Sequence, residues 1–192
     1  MNQMAAWEFQ ALQNIADKHG WHKFISMQNY YNLIYREEGE LLLLYIKNIS
    51  LNLHPLEREM IPYCRDAGVG LIPWSPIARG ALARPFDSRS TLRESSDRML
   101  ASAIRGRETE SDKNVIGRVE ELAKKKGVSM ATIAKAWCLG KQGVNPIIGL
   151  GSKERIDQAV ESVKFVREGG LTEEDVKYLE EAYVPKVGGF GY

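Results

Sequence analysis

The sequence predicts an α/β protein built on short parallel strands, and three observations carry that expectation. Apolar residues recur at helical spacing in several segments that stop at a glycine. Between these segments lie short apolar runs, and each run ends in a polar or glycine-rich stretch that leads toward the next helix. Helix, strand, helix, strand is the rhythm of a parallel sheet. In such sheets ligands bind at the carboxyl ends of the strands, so the residues just after each run are the first candidates for function.

Trp7 to Lys18 carries Phe9, Leu12, Ile15 and Ala16 at helical spacing before Gly20, which predicts a helix with those four on its buried face. Phe24 to Met27 reads as a strand that runs into the polar and aromatic "QNYYN". Glu57 to Ala67 has Met60, Ile61 and Cys64 on one stripe and stops at Gly68, and Val69 to Pro73 is the second strand. After an Arg- and Ser-rich connection from Phe86 to Asp112, a helix marked by Val115, Val119, Leu122 and Ala123 ends at Gly127. Ser129 is the expected cap of a helix carrying Ile133, Ala134 and Trp137 that stops at Gly140. "VNPIIGLGS" supplies a third strand, Pro146 to Gly149. It leads into a helix with Ile156, Ala159, Val160 and Val163 as its apolar face. A last helix, "LTEEDVKYLEEAY", is expected to be capped by Thr172 with Asp175 reciprocating.

Composition narrows the function. The 192 residues are 44% hydrophobic, enough for one domain with a core. Lys+Arg 26 against Asp+Glu 25 leaves a net charge of +1, spread along the chain, so no basic arm marks a nucleic-acid ligand. The longest basic run, Lys124 to Lys126, follows a helical pattern and reads as a solvated face. Cys64 and Cys138 stand far apart in apolar contexts and read as buried free thiols. The N-terminus lacks the basic flank and apolar core of a secretory signal, and "LLLLYI" is far shorter than the ~20 residues of a membrane span. The expectation is a cytosolic protein with no membrane and no nucleic-acid partner.

"GVGLIPWSPIARG", Gly68 to Gly80, ends an apolar run in an aromatic plate, a hydroxyl and open backbone. Taken alone it fits two readings: Trp74 fills a core beside a turn at Pro76, or the strand end walls a ligand site. Two further motifs weigh on the choice. "FISMQNYYNLIYRE", "GLIPWSPIARG" and "PIIGLGSKERIDQAVES", in that order, resemble the C-terminal half of the aldo-keto reductases, in particular the fungal aryl-alcohol-dehydrogenase-like branch. The likeness covers nearly the whole chain apart from one insert.

That resemblance implies a partial (β/α)8 TIM barrel in which the three runs are similar to the sixth, seventh and eighth strands. It also implies an oxidoreductase that moves hydride between NADPH and an aldehyde, ketone or alcohol. Trp74 matches the platform on which the nicotinamide stacks, a task a flat indole performs at little entropic cost. Gln28 matches the side chain that bonds the carboxamide, and Ser75, Pro76, Ile77, Ala78 and Arg79 match the backbone that follows the pyrophosphate. Gly149, Gly151, Arg155, Gln158 and Ala159 fall on positions that hold the adenosine 2′-phosphate and adenine. There, glycines and a capping serine before a helix also suit an anion on general grounds, and Arg155 adds a charged fork. Gln158 and Ala159 depart from the commoner Glu-Asn pair. The alternative at this site is a well-capped helix with a surface arginine. Arg84 and Arg93 are further candidates for the phosphates.

The resemblance implies a catalytic aspartate, tyrosine, lysine and histidine on early strands, with Asp and Tyr five positions apart. Five residues after the seven aspartates stand His22, Leu71, Leu92, Ser102, Gly117, Ser162 and Glu180, none of them tyrosine. His19, His22 and His54 supply no substitute. The chain is therefore expected to begin near the family's fifth helix, to keep the cofactor wall without the catalytic half, and to be inactive alone. A regulatory half-barrel subunit that binds NADPH without turnover, and a degenerate fragment, are the rival readings. Gly39 to Leu56 is an atypical insert: removing its 18 residues restores the junction "YREEEREMIPYC". It is either a translated intron or a loop with its own short apolar element. Three strands alone would leave an unpaired edge, which predicts self-association.

Overall fold

The computed structural model describes residues 4–36, 56–88 and 96–186. Arg93 and the expected insert, apart from the backbone of Leu56, lie outside the described residues. In chain order the elements are α1 (Ala6–Lys18), β1 (Ser26–Met27) and a π-helical turn (Leu56–Met60) that runs into α2 (Ile61–Asp66). β2 (Gly70–Leu71) comes next, followed by the 3-10 segment Ala78–Ala83 and the short turns Leu100–Ile104 and Arg105–Arg107. Four helices close the chain: α3 (Glu110–Lys126), α4 (Met130–Leu139), α5 (Lys153–Arg167) and α6 (Glu173–Glu180).

β1 and β2 are parallel, with Ser26 opposite Gly70 and Met27 opposite Leu71. The ladder continues past the strand ends. Gly70 N–H donates to the Ile25 carbonyl at 2.9 Å, Ile72 to Met27 at 2.9 Å and Trp74 to Asn29 at 2.8 Å. The third expected strand, Pro146 to Gly149, is corrected: it reduces to parallel bridges of Val144 to Leu71 and Ile147 to Trp74. Asn145 N–H donates to Leu71 and Ile147 N–H to Pro73, at 2.8 and 2.7 Å, and two alternate amides make bridges rather than a run. Pro146, between them, faces the open side, where its missing N–H costs no ladder bond.

Two helix faces differ from expectation. On α1, Phe9 and Ala16 are buried as expected, but Ile15 is 45% exposed and the third buried residue is Gln13. The Gln13 amide explains its place. Its Nε2 donates to the Phe24 carbonyl at 2.9 Å and its Oε1 accepts the Phe24 N–H at 2.8 Å, as a neighbouring strand would. On α5 the expected apolar face is turned out: Ile156, Val160 and Val163 are exposed and Ala159 is half-buried. α5 packs on α4 through its other side, where Ser162 is the buried residue. The Glu57–Ala67 helix is also divided, because Pro62 has no N–H for residue 58 and the first turn widens to π spacing.

The caps stand as the sequence predicts. Ser129 Oγ accepts Thr132 N–H at 3.0 Å, Thr172 Oγ1 accepts Asp175 N–H at 3.2 Å, and Asp175 Oδ2 accepts Thr172 N–H at 3.0 Å. Gly127 takes the left-handed conformation that ends α3, with φ 66. Phe9, Met27, Tyr31, Cys64, Val119, Ile133 and Trp137 belong to one continuous core between the short sheet and α2, α3 and α4. Removing a buried side chain of that size costs about 3–5 kcal/mol.

A polar network crosses this core. Arg36, 5% exposed, donates through Nε and Nη2 to the two oxygens of Glu57, and Nη2 reaches Glu180 at 3.4 Å. Tyr31 Oη donates to Glu57 at 2.6 Å, while Trp137 Nε1 and Lys141 Nζ donate to Glu180. The Arg36 backbone N–H donates to Tyr183 Oη at 3.1 Å, and its guanidinium lies over the Trp137 and Tyr183 rings. Burial works against the charge of Glu57, but the hydrogen bonds and charge of Arg36 hold its carboxyl below the usual range.

Because Glu57 titrates lower in the folded chain, its contribution is complete above the unfolded value of about 4.3 and is lost as pH falls through the folded value. Glu57→Gln is expected to lower stability by about 3 kcal/mol at pH 7 by leaving a buried guanidinium short of charge. The variant should also show a flatter loss of stability on acidification below about pH 4. Urea unfolding followed across pH 3 to 7 checks both.

Candidate functional site

The carboxyl ends of β1 and β2 carry the first group of expected site residues. Gln28 follows β1 directly and is half-buried. Trp74 is also half-buried and bridges Tyr30 on one side and Ile147 on the other, so it sits where all three strand segments meet. Its ring packs on Tyr30 with centroids 4.5 Å apart and planes at 37°. That contact fixes the indole from one side.

The backbone beyond Trp74 is strained. Ser75, Ala78 and Arg79 have φ of 55, 46 and 54, and Gly80 follows at 106. Three non-glycine residues in the left-handed region within five positions persist only where the surroundings over-determine them. Asn32 Nδ2 donates to the Ser75 carbonyl at 3.1 Å, and Gly80 N–H donates to Ile77 at 2.8 Å. Arg79 is fixed by Asp97, whose Oδ2 accepts Nε at 2.9 Å and Nη2 at 2.8 Å. Asp97 Oδ1 accepts the N–H groups of Met99 and Leu100. Although burial opposes its charge, the Leu100 amide and the Arg79 guanidinium hold Asp97 below the usual carboxylate range.

The second group lies at the start of α5. Ser152 caps that helix, its Oγ accepting Arg155 N–H at 3.4 Å. The Arg155 guanidinium folds back over Gly151, with Nη1 3.7 Å from where a Cβ would sit. Gly149, Gly151, Arg155 and Gln158 are exposed.

A cavity of about 480 Å³ joins the two groups. Of the expected residues, Ser75, Pro76, Ile77, Arg79, Gly149, Arg155 and Gln158 line it, as does Arg84. Gln28, Trp74, Ala78, Gly151 and Ala159 do not. Ser129, Ala131 and Lys135, from the first turns of α4, form a wall that the sequence reading missed. A lysine between Ala134 and Ala136 in an otherwise apolar stretch was the signal available for it. Burial pulls the Lys135 ammonium below the usual lysine range, against the field of Glu161. Four cationic side chains, Arg79, Arg84, Lys135 and Arg155, thus line one cavity, and among the described residues no carboxylate stands on its wall. Such a lining attracts phosphate or carboxylate.

A larger cavity, about 940 Å³, lies between α4 and α6. Its charges are mixed, and Arg36 and Lys141 are already matched by Glu180. It offers no such excess of one sign. Among the described residues no cluster of His, Cys, Asp and Glu has the makings of a metal site, and no helix is long and apolar enough to cross a membrane.

An α/β chain with a cationic cavity at the ends of parallel strands is the class of protein that the fold and site define. The chain belongs to the aldo/keto reductase family, whose profile matches residues 3–184. It is 60% identical over 183 residues to a versiconal hemiacetal acetate reductase of Aspergillus parasiticus, covering 95% of this chain and 47% of that protein. It is 50% identical to a putative aryl-alcohol dehydrogenase of Schizosaccharomyces pombe, over 48% of that protein, and 42% identical to an aldo-keto reductase of Fusarium vanettenii, over 43%. The chain spans about half the length of the curated relatives it matches.

Gly80→Ala tests the strained turn. The substitution forces an alanine to φ 106 and sets its Cβ 3.2 Å from Arg84 Nη2. A loss of about 1–2 kcal/mol is expected, read by urea unfolding.

Proposed function

We propose that this chain is the dinucleotide-binding part of an NADP-dependent aldo-keto reductase, with its strand segments standing as the sixth to eighth of an eight-stranded barrel. The observation that carries the reading is the cavity with Arg79, Arg84, Lys135 and Arg155 on its wall and, among the described residues, no carboxylate there. Its residues fit the group in kind as well as in charge. The exposed glycines at 149 and 151 let backbone approach a phosphate, and the capped start of α5 adds the positive end of a helix dipole. Ser75 to Arg79 would follow the pyrophosphate. Trp74 and Gln28 would hold the nicotinamide, and Arg155 with Gly149, Gly151, Gln158 and Ala159 the adenosine end.

When bound, NADPH supplies a hydride to an aldehyde or ketone, or in the reverse direction NADP takes one from an alcohol. The residues of this chain would bind and orient; Trp74, whose ring packs on Tyr30, would shield one face of the nicotinamide. The Asp-Tyr pair that the family resemblance implies has no match in this sequence, so the isolated chain is expected to bind NADPH and not to consume it with an aromatic aldehyde. The buried free thiols Cys64 and Cys138 suit a reducing compartment such as the cytosol. Burial pushes the Cys138 thiol up to about 12, so it stays protonated.

The exposed apolar residues on α1 (Trp7, Ile15), on the connection from α1 to β1 (Trp21, Ile25) and on α5 (Ile156, Val160, Val163) support association between copies of this chain. Sedimentation equilibrium is expected to show a mass that rises with concentration, and Val160→Lys with Val163→Lys to return it toward 21.7 kDa.

A thermal melt with and without NADPH tests the central reading. A ligand that binds only the folded chain stabilises it by about 2.7 kcal/mol at a hundred times its dissociation constant. A cooperative transition moved upward by NADPH, and less by NADH, is the expected result; no movement with either overturns the reading.

A further inference from the structure

Lys135 is the buried cation of this cavity, and among the described residues it has no acid to match its charge. It is 7% exposed, on an apolar helix, between Ala134 and Ala136. Its ammonium has three N–H groups. One donates to the Gln158 carbonyl at 3.0 Å, an oxygen that also accepts Ser162 Oγ at 2.7 Å. Among the described residues no carboxylate stands within ion-pair distance of it, and Glu161 acts only through its field. Arg79, by contrast, is matched by Asp97. A buried charge without a counter-ion is costly, and a bound anion would relieve that cost.

We propose that Lys135 is a phosphate ligand of this cavity, completing with Arg155 a site for the phosphomonoester of a 2′-phosphorylated adenosine nucleotide. The inference rests on the dinucleotide reading above and adds a wall that the strand-end and helix-start motifs do not contain. Position favours the monoester over the diphosphate. Lys135 is tied to Gln158 on α5, the helix that carries Arg155, whereas the diphosphate is expected along Ser75 to Arg79. Charge favours it as well, since a monoester carries between one and two negative charges near neutral pH and two cations face it. The two unused N–H groups serve a phosphate while the bond to Gln158 stays in place. A compact ammonium with rotatable donors suits that task.

The test is calorimetric titration of the full chain with NADP+, NAD+, 2′-AMP and ADP, on the wild type, Lys135→Met and Lys135→Arg. Lys135→Met is expected to weaken 2′-AMP and NADP+ by about tenfold or more, the worth of a charged hydrogen bond. ADP and NAD+ should stay within about twofold, and Lys135→Arg should recover most of the loss. If the methionine variant does not melt cooperatively, Lys135→Gln, which keeps a donor for Gln158, takes its place. Unchanged 2′-AMP affinity in the neutral variant overturns the inference and leaves the dinucleotide reading standing. A loss confined to ADP overturns the monoester assignment. A wild-type chain that binds none of the four overturns both readings.

Discussion

The structure depends on one buried charge pair. Arg36 and Glu57 meet inside the core, and a guanidinium taken out of water must be matched from several sides at once. Tyr31 and Glu57 complete one side, and Glu180, with Trp137 and Lys141 behind it, completes the other. The network therefore joins the segment after β1, the turn before α2, α4 and the end of α6. These parts are far apart in sequence, and a helix or a two-residue strand alone would not hold them together. With α4 fixed in this way, its first turns stand against the strand ends, and the cavity has its third wall.

The site shows a related economy. Its strained turn from Ser75 to Gly80 is held by side chains that do not line the cavity. Asn32 restrains the Ser75 carbonyl, and Asp97 restrains Arg79 while closing the turn that leads to Leu100. The charge of the cavity is then set by what is left over. Arg79 has its acid, but Lys135, on the opposite wall, has only a carbonyl.

Much of the local structure was legible in the chain. Thr172 with Asp175, Ser129 and Gly127 close their helices through contacts within three or four residues, and short-range geometry of that kind is written directly in residue spacing. The two apolar runs at Phe24 and Val69 likewise pair as parallel strands. Pattern was less useful for which way a helix faces. Ile15, Val160 and Val163 have the spacing of a buried stripe and are exposed, while Gln13 and Ser162 are buried. Periodicity reports that a face is apolar; what covers it depends on the elements nearby. The third strand was legible in place but not in length, because Asn145, just before it, and Ile147 make its amide bonds to Leu71 and Pro73 as isolated bridges.

By itself the sequence determined the order of helices and strands, the caps, the strand-end turn and the family, each of which rests on contacts or motifs local to the chain. The tertiary structure decided which charges are matched. Arg36, Glu57 and Glu180 are ordinary surface residue types until folding removes water from around them, and Lys135 becomes a candidate ligand only because α4 carries it into a cavity where no described residue is an acid. Electrostatic pairing between residues distant in sequence depends on distance and burial, and neither exists before the chain is folded.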